Sequence, residues 1–151
     1  MELRHIDRNG LGELLSLYAH LHDTDDPLPD ASQVGAVWEE LMANPRCRHV
    51  GAYEQDQLLA SCTITVIPNL TRGCRPYGVI ENVVTHRAHR GRGYGKAVLK
   101  GALEFAWSMR CYKVMLMTGR KDQATLDFYA GAGFSGDEKR AFIAKPGAFC
   151  A

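Results

Sequence analysis

Three glycines at alternate positions, with Arg90, Arg92 and Lys96 among them, give His89-Arg90-Gly91-Arg92-Gly93-Tyr94-Gly95-Lys96 a composition suited to chemistry. A strand-like apolar run, GVIENVV, precedes the segment, and a helix-like run, AVLKGALEFAWSM, follows it. Glycines let a backbone approach a ligand closely, and successive N–H groups of such a turn point into one hollow. The following helix adds the positive end of its dipole, and the three cations add charge-assisted donors. A pyrophosphate fits this arrangement; the plain alternative is a surface turn with incidental glycines. Two other phosphate turns fit badly. A P-loop needs G-x-x-x-x-G-K-S/T, but Ala97 follows Lys96 and Arg90 stands five before Gly95. A dinucleotide fingerprint needs G-x-G-x-x-G after an early strand, whereas these glycines run G-x-G-x-G in mid-chain.

The elements that must position this turn follow from the hydrophobic period. Residues 2–6 read as a strand. Leu11, Leu14, Leu15 and Tyr18 have the spacing of one helix face. The acidic, proline-broken DTDDPLPD reads as a loop, and Ser32 is a candidate cap for a second helix through VGAVWEELMA. HVGAYEQ and LLASCTITVIP read as two strands turning through QDQ, and NLTRGCRP as a second turn. YGVIENVVTH is a long strand, a helix runs from about Gly93 to Met109, and strand KVMLMT follows. A helix through DQATLDFYAGAG and a last strand, KRAFIAK, complete the order β-α-α-β-β-β-α-β-α-β. That order predicts a mixed α/β sheet in one domain spanning residues 1–151.

The totals exclude several classes. A chain of 151 residues is long enough for one sizeable core, and 46% hydrophobic with 23% charged residues is ordinary for a globular protein. A net charge of +1 gives no support for nucleic-acid or membrane-surface binding. No run approaches the roughly 20 apolar residues that span a bilayer, and MELRHIDRNG lacks the apolar core of a signal sequence. Cys47, Cys62, Cys74, Cys111 and Cys150 are scattered with no C-x-x-C pair. The expectation is therefore no metal, no structural disulfide and a reduced, cytoplasmic setting.

Arg90-x-x-Gly93-x-Gly95 after a strand resembles the coenzyme A pyrophosphate loop of the GNAT acetyltransferase superfamily, Q/R-x-x-G-x-G/A. LDFYAGAGF, Leu126 to Phe134, resembles that superfamily's later helix with F/L-Y-x-x-x-G-F. Ile80-Glu81-Asn82-Val83 and Cys111-Tyr112-Lys113-Val114 are similar to segments of the glucosamine-6-phosphate N-acetyltransferases; Asn82 stands where those enzymes carry Asp. The resemblance implies a GNAT fold of the α/β (α+β) class, with a mostly antiparallel sheet splayed at its central strands and helices on both faces. It implies acetyl-CoA as cosubstrate, a small-molecule amine such as an amino sugar phosphate as acceptor, and a homodimer. A protein or peptide N-acetyltransferase and a non-catalytic acyl-CoA-binding module remain the alternatives.

For the site, the resemblance implies that Arg90, Gly91, Arg92, Gly93, Tyr94, Gly95 and Lys96 hold the pyrophosphate. Backbone N–H groups near Val83, Val84 and Thr85 would stabilise the developing oxyanion. Asp122 and Thr125, seven and four residues before Tyr129, stand where relatives carry an Asn against the pantetheine arm, and Phe128 is counted with them. Tyr129 is the candidate acid: a tyrosine titrating near pH 10 is protonated at neutral pH and could protonate a leaving thiolate. Its plain reading is a core tyrosine beside Phe128. Glu81, with Asn82 inside an apolar run that a purely structural strand would avoid, is the candidate base. It could equally orient the ammonium only, and both residues are counted as acceptor contacts. His89 reads as exposed and His86 as solvated or structural. The acidic run Asp23, Asp25, Asp26 and Asp30 reads as a solvated loop, and Trp38 and Trp107 as core.

Overall fold

The computed structural model describes residues 1–22 and 24–146. The chain divides into two compact units, Met1–Leu116 and Met117–Ala151. The first holds a five-stranded sheet of β1 (Glu2–His5), β2 (Cys47–Glu54), β3 (Gln57–Ile67), β4 (Tyr77–Thr85) and β5 (Val114–Leu116), in that spatial order. The first four strands are antiparallel neighbours, and β5 joins β4 in parallel. The β2–β3 hairpin turns on Gln55 and Asp56, both at positive φ, the two-residue turn whose twist matches the flanking strands.

Helices α1 (Leu11–Tyr18) and α2 (Ala31–Ala43) precede the hairpin, and α3 (Tyr94–Ser108) links β4 to β5. Alternation along β3 separates their two sides, because successive strand residues face opposite ways. Cys62 directs its thiol to the Val98 carbonyl of α3, 3.4 Å away. Thr63, the next residue, interacts with Tyr18 of α1. Leu14, Leu17 and Trp38 from α1 and α2 pack with Ile6, Tyr53, Leu58 and Val84 on that side. Val98, Leu99, Ala102 and Ala106 are the buried stripe of α3, at the spacing of one helix face.

Several expectations need correcting. Asp30, not Ser32, caps α2: its carboxylate accepts from the Gln33 backbone N–H at 3.0 Å, which places the helix start one turn before the apolar run. Trp38 is core, but Trp107 is half exposed, because it falls off the buried stripe of α3. The NLTRGCRP turn contains a left-handed stretch, with positive φ at Arg72, Gly73 and Cys74.

In the second unit, α4 (Gln123–Ala130) is capped by Asp122. The expected strand KRAFIAK is absent: residues 139–145 pair with no strand, and Phe142 and Ile143 stay exposed. An apolar alternation becomes a strand only where a partner completes its ladder, and none among the described residues does. No helix among the described residues is long and apolar enough to cross a membrane.

Candidate active site

The geometry centres on β4. Its parallel pairing with β5 ends at Ile80 and Leu116. Beyond Ile80, the described residues provide β4 with a strand partner on one side only. At the same place β4 bulges against β3: Thr63 opposes Glu81, but Ser61 opposes Val84, so β4 carries one extra residue. Asn82 takes the strain, with φ +53. Asparagine tolerates that left-handed conformation better than most residues, and a bulge re-aims the side chains around it. Glu81 and Asn82 are both exposed. Val83 is half-buried, Val84 is in the core, and Thr85 pairs with Ala60.

The glycine turn stands immediately after this open edge. His86 caps the short turn Arg87–His89, accepting from the Ala88 N–H at 3.3 Å. Its ring lies 4.1 Å from that of His20, so it packs into the turn's scaffold. His89 is half-buried rather than exposed, because its ring meets those of His86 and Tyr94. Gly91 and Gly93 have φ +75 and +89, a region that glycine enters without steric cost. Gly93 is the N-cap of α3, and it supplies no side-chain cap to the helix's first N–H groups. Those donors therefore face outward at the positive end of a 15-residue helix.

The cations divide. Arg90 is committed to the scaffold: its guanidinium donates to the carbonyls of Thr85 (3.4 Å) and His20 (3.0 Å), tying the end of β4 to the residues after α1. Arg92 and Lys96 are exposed and make no salt bridge among the described residues. Tyr94 is buried and donates to the Glu54 carboxylate at 2.8 Å. It anchors the helix start to the β2–β3 hairpin, and the carboxylate beside it raises the phenol's pKa. Gly95 is buried at the first turn. An uncapped helix N-terminus, left-handed glycines and two exposed cations together suit a pyrophosphate.

In the second unit, Tyr129 lies on α4 with its ring edge-on to Phe128, 4.9 Å between centroids. Asp122 accepts from the Thr125 N–H at 2.9 Å and from its hydroxyl at 3.0 Å, which holds the Asp122 carboxyl below the usual range. Asp122 thus caps α4, and the Thr125 hydroxyl is a second donor to the same carboxylate. Asp25, Asp26 and Asp30 are exposed, in keeping with a solvated loop; Asp23 lies outside the described residues. Cys47, Cys62, Cys74 and Cys111 are free thiols, and burial pushes the Cys62 thiol up to about 12. Cys150 lies outside the described residues.

Three residues that sequence reading passed over converge on the bulge. Tyr18 ends α1 and interacts with the side chains of Thr63 and Asn82. Thr63, buried on β3, shares a 3.0 Å hydrogen bond with Nδ1 of the buried His49 on β2. Tyr18 had only its helical spacing as a signal, which reads as core.

The chain has relatives among known proteins. Residues 13–134 match the sequence model of a family described as "Acetyltransferase (GNAT) family". The chain is 32% identical over 149 residues to a glucosamine 6-phosphate N-acetyltransferase of Trypanosoma brucei brucei, covering 93% of this chain and 92% of that one. It is 32% identical over 145 residues to glucosamine 6-phosphate N-acetyltransferase 1 of Oryza sativa subsp. japonica, covering 89% and 78%. A solved structure from Agrobacterium tumefaciens str. C58, assigned as an acetyltransferase, superposes with a TM-score of 0.88 at 41% identity, covering 96% of this chain and all of that one.

Proposed function

The chain belongs to the GNAT acetyltransferase family, and we propose that it is an acetyl-CoA-dependent N-acetyltransferase of a small primary amine, in particular an amino sugar phosphate such as glucosamine 6-phosphate. The observation that carries the reading is the continuity of the open β4 edge, after Ile80, with the uncapped glycine start of α3. An extended pantetheine fits along such an edge as an added strand, and a pyrophosphate fits at the helix N-terminus. The relatives' names supply the acceptor class.

Acetyl-CoA supplies an acyl thioester. In our reading Arg92, Lys96 and the N–H groups of Gly91, Gly93, Tyr94 and Gly95 hold the pyrophosphate, while Arg90 braces the turn. Backbone N–H groups along Val83 to Thr85 stabilise the oxygen that gains charge as the amine attacks the carbonyl. A C–N bond forms and the C–S bond breaks. The thiolate takes its proton from Tyr129, and the proton shed by the amine goes to Glu81, directly or through water. Glu81 is exposed, which suits contact with a soluble amine. Asp122, Thr125 and Phe128 border the pantetheine in this reading, and Asn82 meets the acceptor. A cytoplasmic setting and a homodimer complete the proposal; a solution mass near 16.7 kDa would argue against the dimer.

Release of free coenzyme A from acetyl-CoA, with glucosamine 6-phosphate as the only acceptor, tests the reading. Acceptor-dependent release is expected. Release no faster than the acceptor-free rate would refute this acceptor. Slow hydrolysis alone, with every amine tried, would point to a non-catalytic acyl-CoA-binding module.

A further inference from the structure

The glycine turn is tied at its two ends and left open between them. Gly91 and Gly93 lie in the left-handed region, and a Cβ placed on either would meet nothing within 4 Å. Packing at the glycines therefore does not fix the turn, and glycines alone leave a backbone free to sample many shapes. Among the described residues, the backbone N–H groups from Gly93 to Lys96 donate to no carbonyl. An anion finds these donors aligned only while the chain keeps its path. The ties supply that path. At the entrance, Arg90 reaches the carbonyls of Thr85 and His20, at 3.4 and 3.0 Å. At the exit, Tyr94, 5% exposed, donates its phenol O–H to the Glu54 carboxylate at 2.8 Å. The ring of His89 stands edge-on to that of Tyr94, with centroids 6.1 Å apart.

Glu54 is the fixed half of the exit tie. It closes the β2–β3 ladder opposite Gln57, beside the two-residue turn of Gln55 and Asp56. The hairpin is braced from β1 as well. The Arg4 guanidinium lies 3.3 Å from the Asp56 carboxylate and 3.8 Å from the centre of the Tyr53 ring. Tyr94 is the first residue of α3, so its ring carries the hairpin's position straight to the helix start. Glu54 itself is exposed, and a carboxylate beside an anion site opposes the anion by its charge. What it offers in return is a charge-assisted hydrogen bond, shorter and stronger than a neutral one. The same bond raises the pKa of the Tyr94 phenol, as it must for a donor.

We propose that Glu54 is a positioning residue for the coenzyme: through the buried Tyr94 phenol it fixes the start of α3, so that the N–H groups of the turn stand aligned before the pyrophosphate arrives. This rests on the reading that the turn is the pyrophosphate site. Glu54 acts on affinity by reducing the ordering that the coenzyme must impose on the turn. It acts on neither the acceptor nor the reacting groups. The sign separates this role from a plain charge effect. Removing a carboxylate that acts only by its charge tightens an anion, whereas removing a tether loosens it.

The test uses the full chain with Glu54→Ala, Glu54→Gln, Tyr94→Phe and the double variant Glu54→Ala/Tyr94→Phe. Tyr94→Phe keeps the backbone N–H and the buried ring and removes only the hydroxyl. Coenzyme A affinity is measured by calorimetry, which also counts competent sites and needs no acceptor. Turnover is measured by thiol release at saturating acetyl-CoA with glucosamine 6-phosphate. Glu54→Ala and Tyr94→Phe should each weaken coenzyme A about tenfold, the weight of one charge-assisted hydrogen bond. Glu54→Gln keeps an acceptor and should stay within about threefold of wild type. In all of them kcat should hold within about twofold, because the reacting groups are untouched. The double variant should bind no more weakly than either single one, since both cut the same tie. Tighter binding by both Glu54→Ala and Glu54→Gln would reduce the carboxylate to its charge and overturn the proposal. Unchanged affinity per competent site, with a lower melting temperature or site count, would make the tie merely structural and overturn it too. Wild-type protein that does not bind coenzyme A would sink the reading of the turn, and the proposal with it. That failure is separable, because it appears before any variant is compared.

Discussion

Replacing Gly93 with alanine isolates the backbone's contribution to the pyrophosphate turn. Gly93 has φ +89 and ψ −9, and a Cβ built on it would meet nothing within 4 Å. Any effect is therefore conformational rather than steric. An L-residue in left-handed conformation costs roughly 1–2 kcal/mol, and the stiffer unfolded chain offsets about 0.4–1 kcal/mol of that. The net is about 1 kcal/mol. If the turn keeps its shape, the cost appears as a melting temperature lower by about 2–4 °C for a chain of this length. If the turn relaxes instead, the N–H groups swing away and coenzyme A affinity falls about fivefold, the same free energy read at another place. Thermal denaturation and calorimetric titration with coenzyme A, on one preparation, should give losses that sum to about 1 kcal/mol. Gly35→Ala is the matched control: it lies inside α2, with open space around its Cβ position and no positive φ. It should raise the melting temperature through helix propensity. Gly93→Ala with both melting temperature and affinity unchanged would refute the argument. So would a loss above roughly 3 kcal/mol, since no clash exists to supply it.

Tyr129→Phe should lower kcat by about a hundredfold with little change in coenzyme affinity, measured by steady-state thiol release; unchanged turnover would remove Tyr129 from the acid role. Arg110 follows α3 at φ +62, where the Cys111 N–H returns to the Ala106 carbonyl at 3.0 Å, so Arg110→Gly should raise the melting temperature by about 1–3 °C. Burial holds the His49 imidazole below its ordinary 6.5. As pH falls through about 6.5, the unfolded chain takes up a proton that the folded chain refuses, so stability present above that pH is lost below it, by up to about 1.4 kcal/mol per pH unit. His49→Gln should therefore lose melting temperature less steeply than wild type between about pH 6.5 and 5; equal slopes would contradict the assignment.

The glycine turn was legible because its signal is local: the types and spacing from Arg90 to Lys96 fix a strand, a turn and a helix start within one window. The strand and helix order was legible from period for the same reason. The bulge at Asn82 was not, since a register slip belongs to two strands and only the pairing of Ser61 with Val84 reveals it. Tyr18 was hidden because its i, i+4 spacing from Leu14 reads as core, while its place beside Thr63 and Asn82 depends on the sheet that α1 packs against. Trp107 misled because an aromatic among apolar residues reads as buried, while the stripe of α3 turns away from it. The final strand misled because alternation states a preference, and pairing requires a partner.

The order of the sheet has a kinetic meaning. Strands β1 to β5 lie side by side in the order in which they occur in the chain. The β2–β3 and β3–β4 ladders close over short connections, so little loop entropy is lost before contacts form. The junction of β4 with β5 is different, because it must wait for the intervening helix and rests on three residue pairs. Contacts across such a span form late in folding and contribute little to the transition state. A mutation in the β2–β3 hairpin should then slow folding, whereas one at Val114 or Leu116 should mainly speed unfolding. The open edge thus borders the seam that closes last, and local opening there exposes the site without dismantling the meander that carries it.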